Sequence, residues 1–170
     1  KEYPEIQVSG SRIGTDEVGK GDYFGALVVG GVAADEAQAK QLRQLGVKDS
    51  KTLSDTTIKN LAVQIRRILK PNQSDVIVIN PLKYNMLRKE LGNVNGILGW
   101  GHARAIENLA EANPVCETAV ADQFGDQSYI EKALMQKGRK LTLVQSPKAE
   151  REVTVAAASI LARSEFIDRM

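Results

Sequence analysis

Arg12-Ile13-Gly14-Thr15-Asp16-Glu17-Val18, then Gly19-Lys20-Gly21-Asp22 and the apolar run from Gly25 to Val32, is the stretch that decides the fold. Both flanks are short β-compatible runs and the four residues between them are turn formers, so the pattern predicts a β-hairpin. Beyond it the apolar period changes from strand to helix. Asp35 to Leu45 reads as a helix with Gly46 as C-cap. Ser54 to Leu69 sets Ile58, Leu61, Ala62, Ile65, Ile68 and Leu69 on one stripe before Pro71 stops it. Asp75 to Ile79 reads as a buried strand, and Asn80-Pro81 opens a helix running through Tyr84, Leu87 and Leu91. Val94 to about Ala112 is a long helix with Leu98, Ala105, Leu109 and Ala112 on its apolar side and Pro114 beyond its end. Thr118 to Asp122 and Leu141 to Gln145 are strands, and Tyr129 to Gln136 and Val153 to Ile167 are helices. Two hairpin strands followed by strands alternating with helices predict an α/β domain, a layered fold with a central mixed sheet flanked by helices.

A length of 170 residues suits one such domain and is ample for a core without disulfide or structural metal. The 42% hydrophobic and 26% charged fractions exclude a disordered chain. Lys and Arg number 23 against 21 Asp and Glu, a net charge of +2, which excludes a uniformly basic nucleic-acid glue but leaves local patches open. Cys116 stands alone, so no internal disulfide forms, and no signal-like start precedes the domain; the expectation is a cytoplasmic protein. Apolar runs are too short for a bilayer span. Met170 closes a helical pattern without a C-cap, and Lys1 opens the chain, so the 170 residues are expected to be a piece of a longer protein.

Acids at the ends of buried strands need an electrostatic reason. Asp16 and Glu17 interrupt an apolar strand, Asp122 closes another, and Glu150 follows a third. Gathering like charges is costly unless a cation neutralises them, and with one His and one Cys the chain offers oxygen ligands rather than a zinc set. Magnesium suits such carboxylates. Plainer readings stand beside this one. Asp122 serves equally as a turn or cap residue, and Glu150 and Glu152 as solvated charges at a helix N-terminus. Adjacent residues on a strand point to opposite faces, so Asp16 and Glu17 share a site only if the strand twists or ends there. His102 and Trp100 read as packing residues within their helix, and Cys116 as a small buried apolar side chain.

Five segments then carry a resemblance. Gly14-Thr15-Asp16-Glu17-Val18-Gly19-Lys20-Gly21-Asp22-Tyr23-Phe24-Gly25 resembles the first motif of ribonuclease HIII, of the type 2 ribonuclease H family. Lys48-Asp49-Ser50-Lys51-Thr52-Leu53, Trp100-Gly101-His102-Ala103-Arg104-Ala105, Ala121-Asp122-Gln123-Phe124 and Ala156 to Arg163 agree in the same order. The sister HII branch usually has Gly-Arg-Gly in place of Gly19-Lys20-Gly21 and Asp in place of Glu150, which favours HIII. The resemblance implies a ribonuclease H-like catalytic domain over residues 1–170, without the N-terminal substrate-binding domain and C-terminal helices that the family also carries. It implies endonucleolytic hydrolysis of the RNA strand of RNA/DNA hybrids, leaving 5′-phosphate and 3′-hydroxyl ends. Asp16, Glu17, Asp122 and Glu150 would hold two divalent ions, Mg2+ or Mn2+, about 4 Å apart, with Glu152 competing for the fourth place.

Substrate contacts are expected from Gly19, Lys20, Gly21, Lys48, Ser50, Lys51 and Arg163. Glycines let backbone approach a sugar closely, and the 2′-hydroxyl is what separates RNA from DNA. The same residues also read as a hairpin turn, helix caps and a water-facing arginine. An RNA/DNA hybrid is the expected partner, with no membrane, no obligate protein partner and a monomeric state. Two alternatives stay open: incision at single embedded ribonucleotides, as in ribonuclease HII, and a catalytically impaired hybrid-binding fragment. Setting four acids aside leaves 17 against 23 basic residues, an acidic pocket within a moderately basic surface.

Overall fold

The computed structural model describes residues 6, 8–19, 26–47, 50–124, 128–134 and 140–169. Five strands form one mixed sheet in the order β3-β2-β1-β4-β5: β1 Arg12–Val18, β2 Leu27–Ala34, β3 Ser74–Ile79, β4 Thr118–Asp122 and β5 Thr142–Ser146. β1 pairs antiparallel with β2, and β2 with β3, while β4 lies parallel to both β1 and β5. The expected hairpin pairing is present, with β2 two residues later than the periodicity placed it; the turn residues 20–25 lie outside the described residues.

Among the described residues six helices cover the sheet: α1 Glu36–Leu45, α2 Asp55–Ile68, α3 Pro81–Leu91, α4 Val94–Ala112, α5 Ser128–Ala133 and α6 Val153–Asp168. Their ends follow from local chemistry. Asp35 caps α1 in a reciprocal box with Gln38, and Gly46 closes it in the left-handed conformation. Ser54, Asn80 and Asn93 accept the first free N–H groups of α2, α3 and α4.

Strand alternation sorts the core into two layers. Val32 and Ala34 pack with Ala39, Leu42, Ile58, Ile65 and α6 on one face, whereas Ile13 and Ala33 pack with Ala103, Ile106 and Leu109 of α4 on the other. α6 is unusual in being buried on every side from Val153 to Ala162. It approaches the sheet so closely that a Cβ on Gly14 would collide with Thr154 Oγ1 and the Val155 nitrogen, so only a glycine strand surface accepts it. Among the described residues no helix is long and apolar enough to cross a membrane.

Candidate active site

Three parallel strands end side by side, and the acids sit at those ends. The β1–β4 ladder closes at Thr15 opposite Ala121, while β4 stays paired with β5 through Asp122 opposite Ser146. Asp16 and Asp122 are therefore the next positions in register, just where β1 and β4 part. A crevice at the carboxyl ends of parallel strands is where open α/β sheets place their ligands. Within it, one carboxylate oxygen each from Asp16, Glu17 and Asp122 lies within 4.8 Å of the others. β1 stays paired with β2 through Val18 but has no β4 partner beyond Thr15, and beside this opened edge an oxygen from each of the two adjacent acids lies within 4.8 Å of the other.

Main-chain donors orient two of these groups. The Glu17 N–H donates to Asp16 Oδ1 at 2.8 Å, and the Ala149 N–H donates to Asp122 Oδ1 at 3.0 Å. Ala149 can do so because the chain after β5 reverses through Lys148, at φ 52°, into a single 3-10 turn over Ala149–Arg151. Burial pushes the Asp16 carboxyl well above the usual range, and the charges of Glu17, Asp122 and Glu150 push it further, against the pull of the Glu17 N–H. Asp122 is raised too, by burial first and then by Glu17 and Glu150, while the Ala149 N–H and the Lys51 ammonium draw it down. Among the described residues, burial and the neighbouring carboxylates thus outweigh the main-chain donors and the Lys51 ammonium at both groups. An all-oxygen donor set of this charge fits a hard divalent cation such as Mg2+ or Mn2+.

The two candidates for a fourth acid have different surroundings. Glu150 lies outside the group of three but near enough to act on Asp16 and Asp122. Glu152 is buried and committed elsewhere. Its Oε1 accepts from Arg12 Nε and Nη2 at 3.3 and 3.2 Å, and its Oε2 accepts the Thr154 N–H at 3.0 Å and the Thr154 hydroxyl at the start of α6.

Of the expected substrate contacts, Gly19, Ser50, Lys51 and Arg163 are among the described residues. Gly19 has φ 101°, and a side chain there would strike the Ala26 carbonyl, so the position demands glycine. Arg163 lies over the ring of Phe166 at 5.5 Å, and that ring borders Gly19. Lys51 is exposed, while its neighbour Ser50 is buried with Oγ 2.7 Å from Ser159 Oγ of α6, which pins the turn carrying Lys51. Lys20, Gly21 and Lys48 lie outside the described residues. Cys116 is buried as expected, its thiol pushed up to about 11 by burial. Trp100 has Lys83 and Arg104 over its ring at 5.1 and 5.5 Å.

His102 is the residue that sequence reasoning left out of the site. Its ring is fully buried, stacks on Phe124 at 5.2 Å, and bridges Thr15 Oγ1 (Nδ1, 2.7 Å) and Glu17 Oε1 (Nε2, 2.8 Å). A signal was present: His102 falls on the apolar stripe of α4 between Leu98 and Ala105, and a polar residue there needs a buried partner.

Known proteins resemble this chain in sequence and in fold. A family model described as Ribonuclease HII matches residues 13–170. Ribonuclease HIII of Protochlamydia amoebophila is 47% identical over 157 residues, 92% of this chain and 51% of that protein. Ribonuclease HIII of Chlamydia pneumoniae is 46% identical over 92% of this chain and 52% of its own length. The chain therefore spans about half the length of the curated relatives it matches. Among solved structures, Bst-RNase HIII in complex with Mn2+ superposes with a TM-score of 0.82 at 34% identity, covering 95% of this chain and 53% of that one. The RNase HII of Archaeoglobus fulgidus, solved in complex with PCNA, gives 0.76 at 34% identity over 92% of this chain and 72% of that one. With the family pattern running from Ile13 to the last residue over this mixed sheet, the chain belongs to the ribonuclease HII family, the type 2 ribonucleases H, alongside the HIII proteins just named.

Proposed function

We propose that the chain is the ribonuclease H-like catalytic part of an HIII-type enzyme, an endonuclease that hydrolyses the RNA strand of RNA/DNA hybrids and leaves 5′-phosphate and 3′-hydroxyl ends. The observation that carries this reading is the meeting of Asp16, Glu17 and Asp122 oxygens within 4.8 Å at the ends of parallel strands. Family membership and the Mn2+ complex of a relative support it.

Asp16, Glu17 and Asp122, with Glu150 as the fourth acid, would hold two divalent ions, Mg2+ or Mn2+. Glu150 suits that place because its carboxylate acts on Asp16 and Asp122, whereas Glu152 is spent on Arg12 and the start of α6. The chemistry such ions would supply is activation of water for attack and stabilisation of charge on the leaving 3′-oxygen. The protein's own groups do the rest. Asp16, central among the acids and the most strongly raised, gains most from a cation. Gly19, lacking a Cβ, and Gly21 let the backbone approach a ribose. Lys20, Lys48, Lys51 and Arg163 offset phosphate charge, and Ser50 holds the Lys51 turn against α6. The same reading has the protein act as a monomer in the cytoplasm.

Asp16→Asn keeps the shape and removes one ligand charge. With Mg2+ or Mn2+ and a uniform RNA/DNA hybrid, cleavage should fall at least about a hundredfold, with circular dichroism unchanged. Near-parental cutting by the variant would overturn the assignment. A duplex with one embedded ribonucleotide, assayed in parallel, distinguishes HIII-like from HII-like substrate choice.

A further inference from the structure

Each of the three clustered carboxylates accepts a hydrogen bond, but from different kinds of donor. Asp16 and Asp122 take main-chain N–H groups, which substitutions other than to proline leave in place. Glu17, the longest and most rotatable of the three, takes its bond from the His102 ring. That ring is held on three sides. It is fully buried, its flat face rests on Phe124 with 28° between the planes, and Nδ1 meets the equally buried Thr15 hydroxyl. Thr15 and Glu17 are two residues apart on β1 and so point to the same face, towards α4, which is how one ring reaches both.

The direction of these bonds follows from donor and acceptor chemistry. An ionised carboxylate only accepts, so Nε2 carries the hydrogen that faces Glu17. In a neutral imidazole Nδ1 is then an acceptor and Thr15 donates to it; in the charged ring Nδ1 donates and the hydroxyl turns to accept. Nε2–H points at Glu17 in both cases.

We propose that His102 is a positioning residue for Glu17: anchored by Thr15 and Phe124, it fixes the direction in which the Glu17 carboxylate faces the divalent-cation site. The proposal rests on the reading of the acidic cluster as that site. A side chain that orients a ligand in this way typically contributes 10–100-fold to metal affinity.

The test is calorimetric titration of the metal-free 170-residue chain with Mn2+, with no nucleic acid present, alongside thermal unfolding. His102→Phe keeps a ring against Phe124 and removes the donor; its Mn2+ affinity should fall roughly tenfold. His102→Gln restores an amide donor and should recover most of that loss, although both variants lose the native packing. Thr15→Val removes only the anchoring hydroxyl and should weaken Mn2+ about threefold, a fraction of the full effect. Parental affinity in His102→Phe, or equal loss in the Phe and Gln variants, would overturn the proposal. Should His102→Phe fail to fold, Thr15→Val decides, and unchanged affinity there overturns it. Asp16→Asn is the separate control. If it binds Mn2+ as the parent does, the acidic cluster is not the metal site and the underlying reading fails first.

Discussion

β1 carries charge at both ends, and the two ends are finished in different ways. At its start the Arg12 guanidinium, fully buried, is shared among the Gly10 carbonyl, Glu36 and Glu152, so a costly buried cation is closed in by acceptors. At its end Asp16 and Glu17 face Asp122 and feel Glu150, with Lys51 the cation that tempers Asp122. The Glu36 carboxyl, bonded by the Gly10 N–H and beside Arg12, is held below the usual carboxylate range, whereas Asp16 is held well above it. Among the described residues, the charges at the first end compensate one another, whereas at the second the carboxylates outweigh the Lys51 ammonium in their effect on Asp16 and Asp122. The first is what a fold needs and the second is what a cation-dependent site needs.

Breaking the complete end should have the largest effect on stability. Arg12→Met leaves Glu152 buried and unpaired, and should cost about 3–5 kcal/mol. For a domain of this size that is a fall in Tm of roughly 6–20 °C, read by circular dichroism. A loss under about 1 kcal/mol would erase the distinction between the two ends.

Completing the other end should give the next largest change. A cation held by the folded cluster and not by the unfolded chain, as proposed for Mn2+, should at a hundred times its Kd add about 2.7 kcal/mol to the parent. In Asp16→Asn the gain should shrink sharply. Equal gains in both proteins would mean the cation binds elsewhere.

The smallest effect, and the one that sharpens the comparison most, is pH dependence without metal. A carboxyl whose folded value is raised binds more protons folded than unfolded. Its favourable contribution is full below the ordinary Asp value and is lost as pH rises through the raised one. Asp16 and Asp122 should therefore make the metal-free parent less stable as pH climbs from about 4 towards neutrality. Asp16→Asn should show a flatter profile and a higher Tm at neutral pH. Glu36 runs in the opposite sense: its contribution is present above the usual carboxylate range and lost in acid. A parent and variant with parallel profiles would show that Asp16 does not titrate in that window.

Much of this arrangement was legible in the sequence because it is written locally. Capping residues, the Gly46 stop, Pro71, Asn80-Pro81 and the apolar stripes mark elements within a few positions of where they fall. Asp16, Glu17 and Asp122 stood out because acids at the ends of apolar strands are conspicuous. What escaped depends on contacts between distant segments. His102 meets Thr15 and Glu17 across 87 and 85 positions, and only the packing of α4 on β1 brings them together. Glu150 and Glu152 are indistinguishable by spacing. They separate once Arg12, 140 positions away, takes one of them into the core.

The position of α6 has a consequence for how the chain acquires its fold. Among the described residues β1 is the first strand and α6 the last helix, yet the two are so tightly joined that helix backbone fills the place of a Gly14 side chain. On a ribosome, the hairpin and its neighbours would emerge long before the helix that covers one face of them. That face stays open until residues near 160 have been made, and contacts of such long sequence separation are the slow ones in folding. The turn with Glu150 leads directly into α6, so the acidic pocket is expected to be assembled last, by the same event that closes the core.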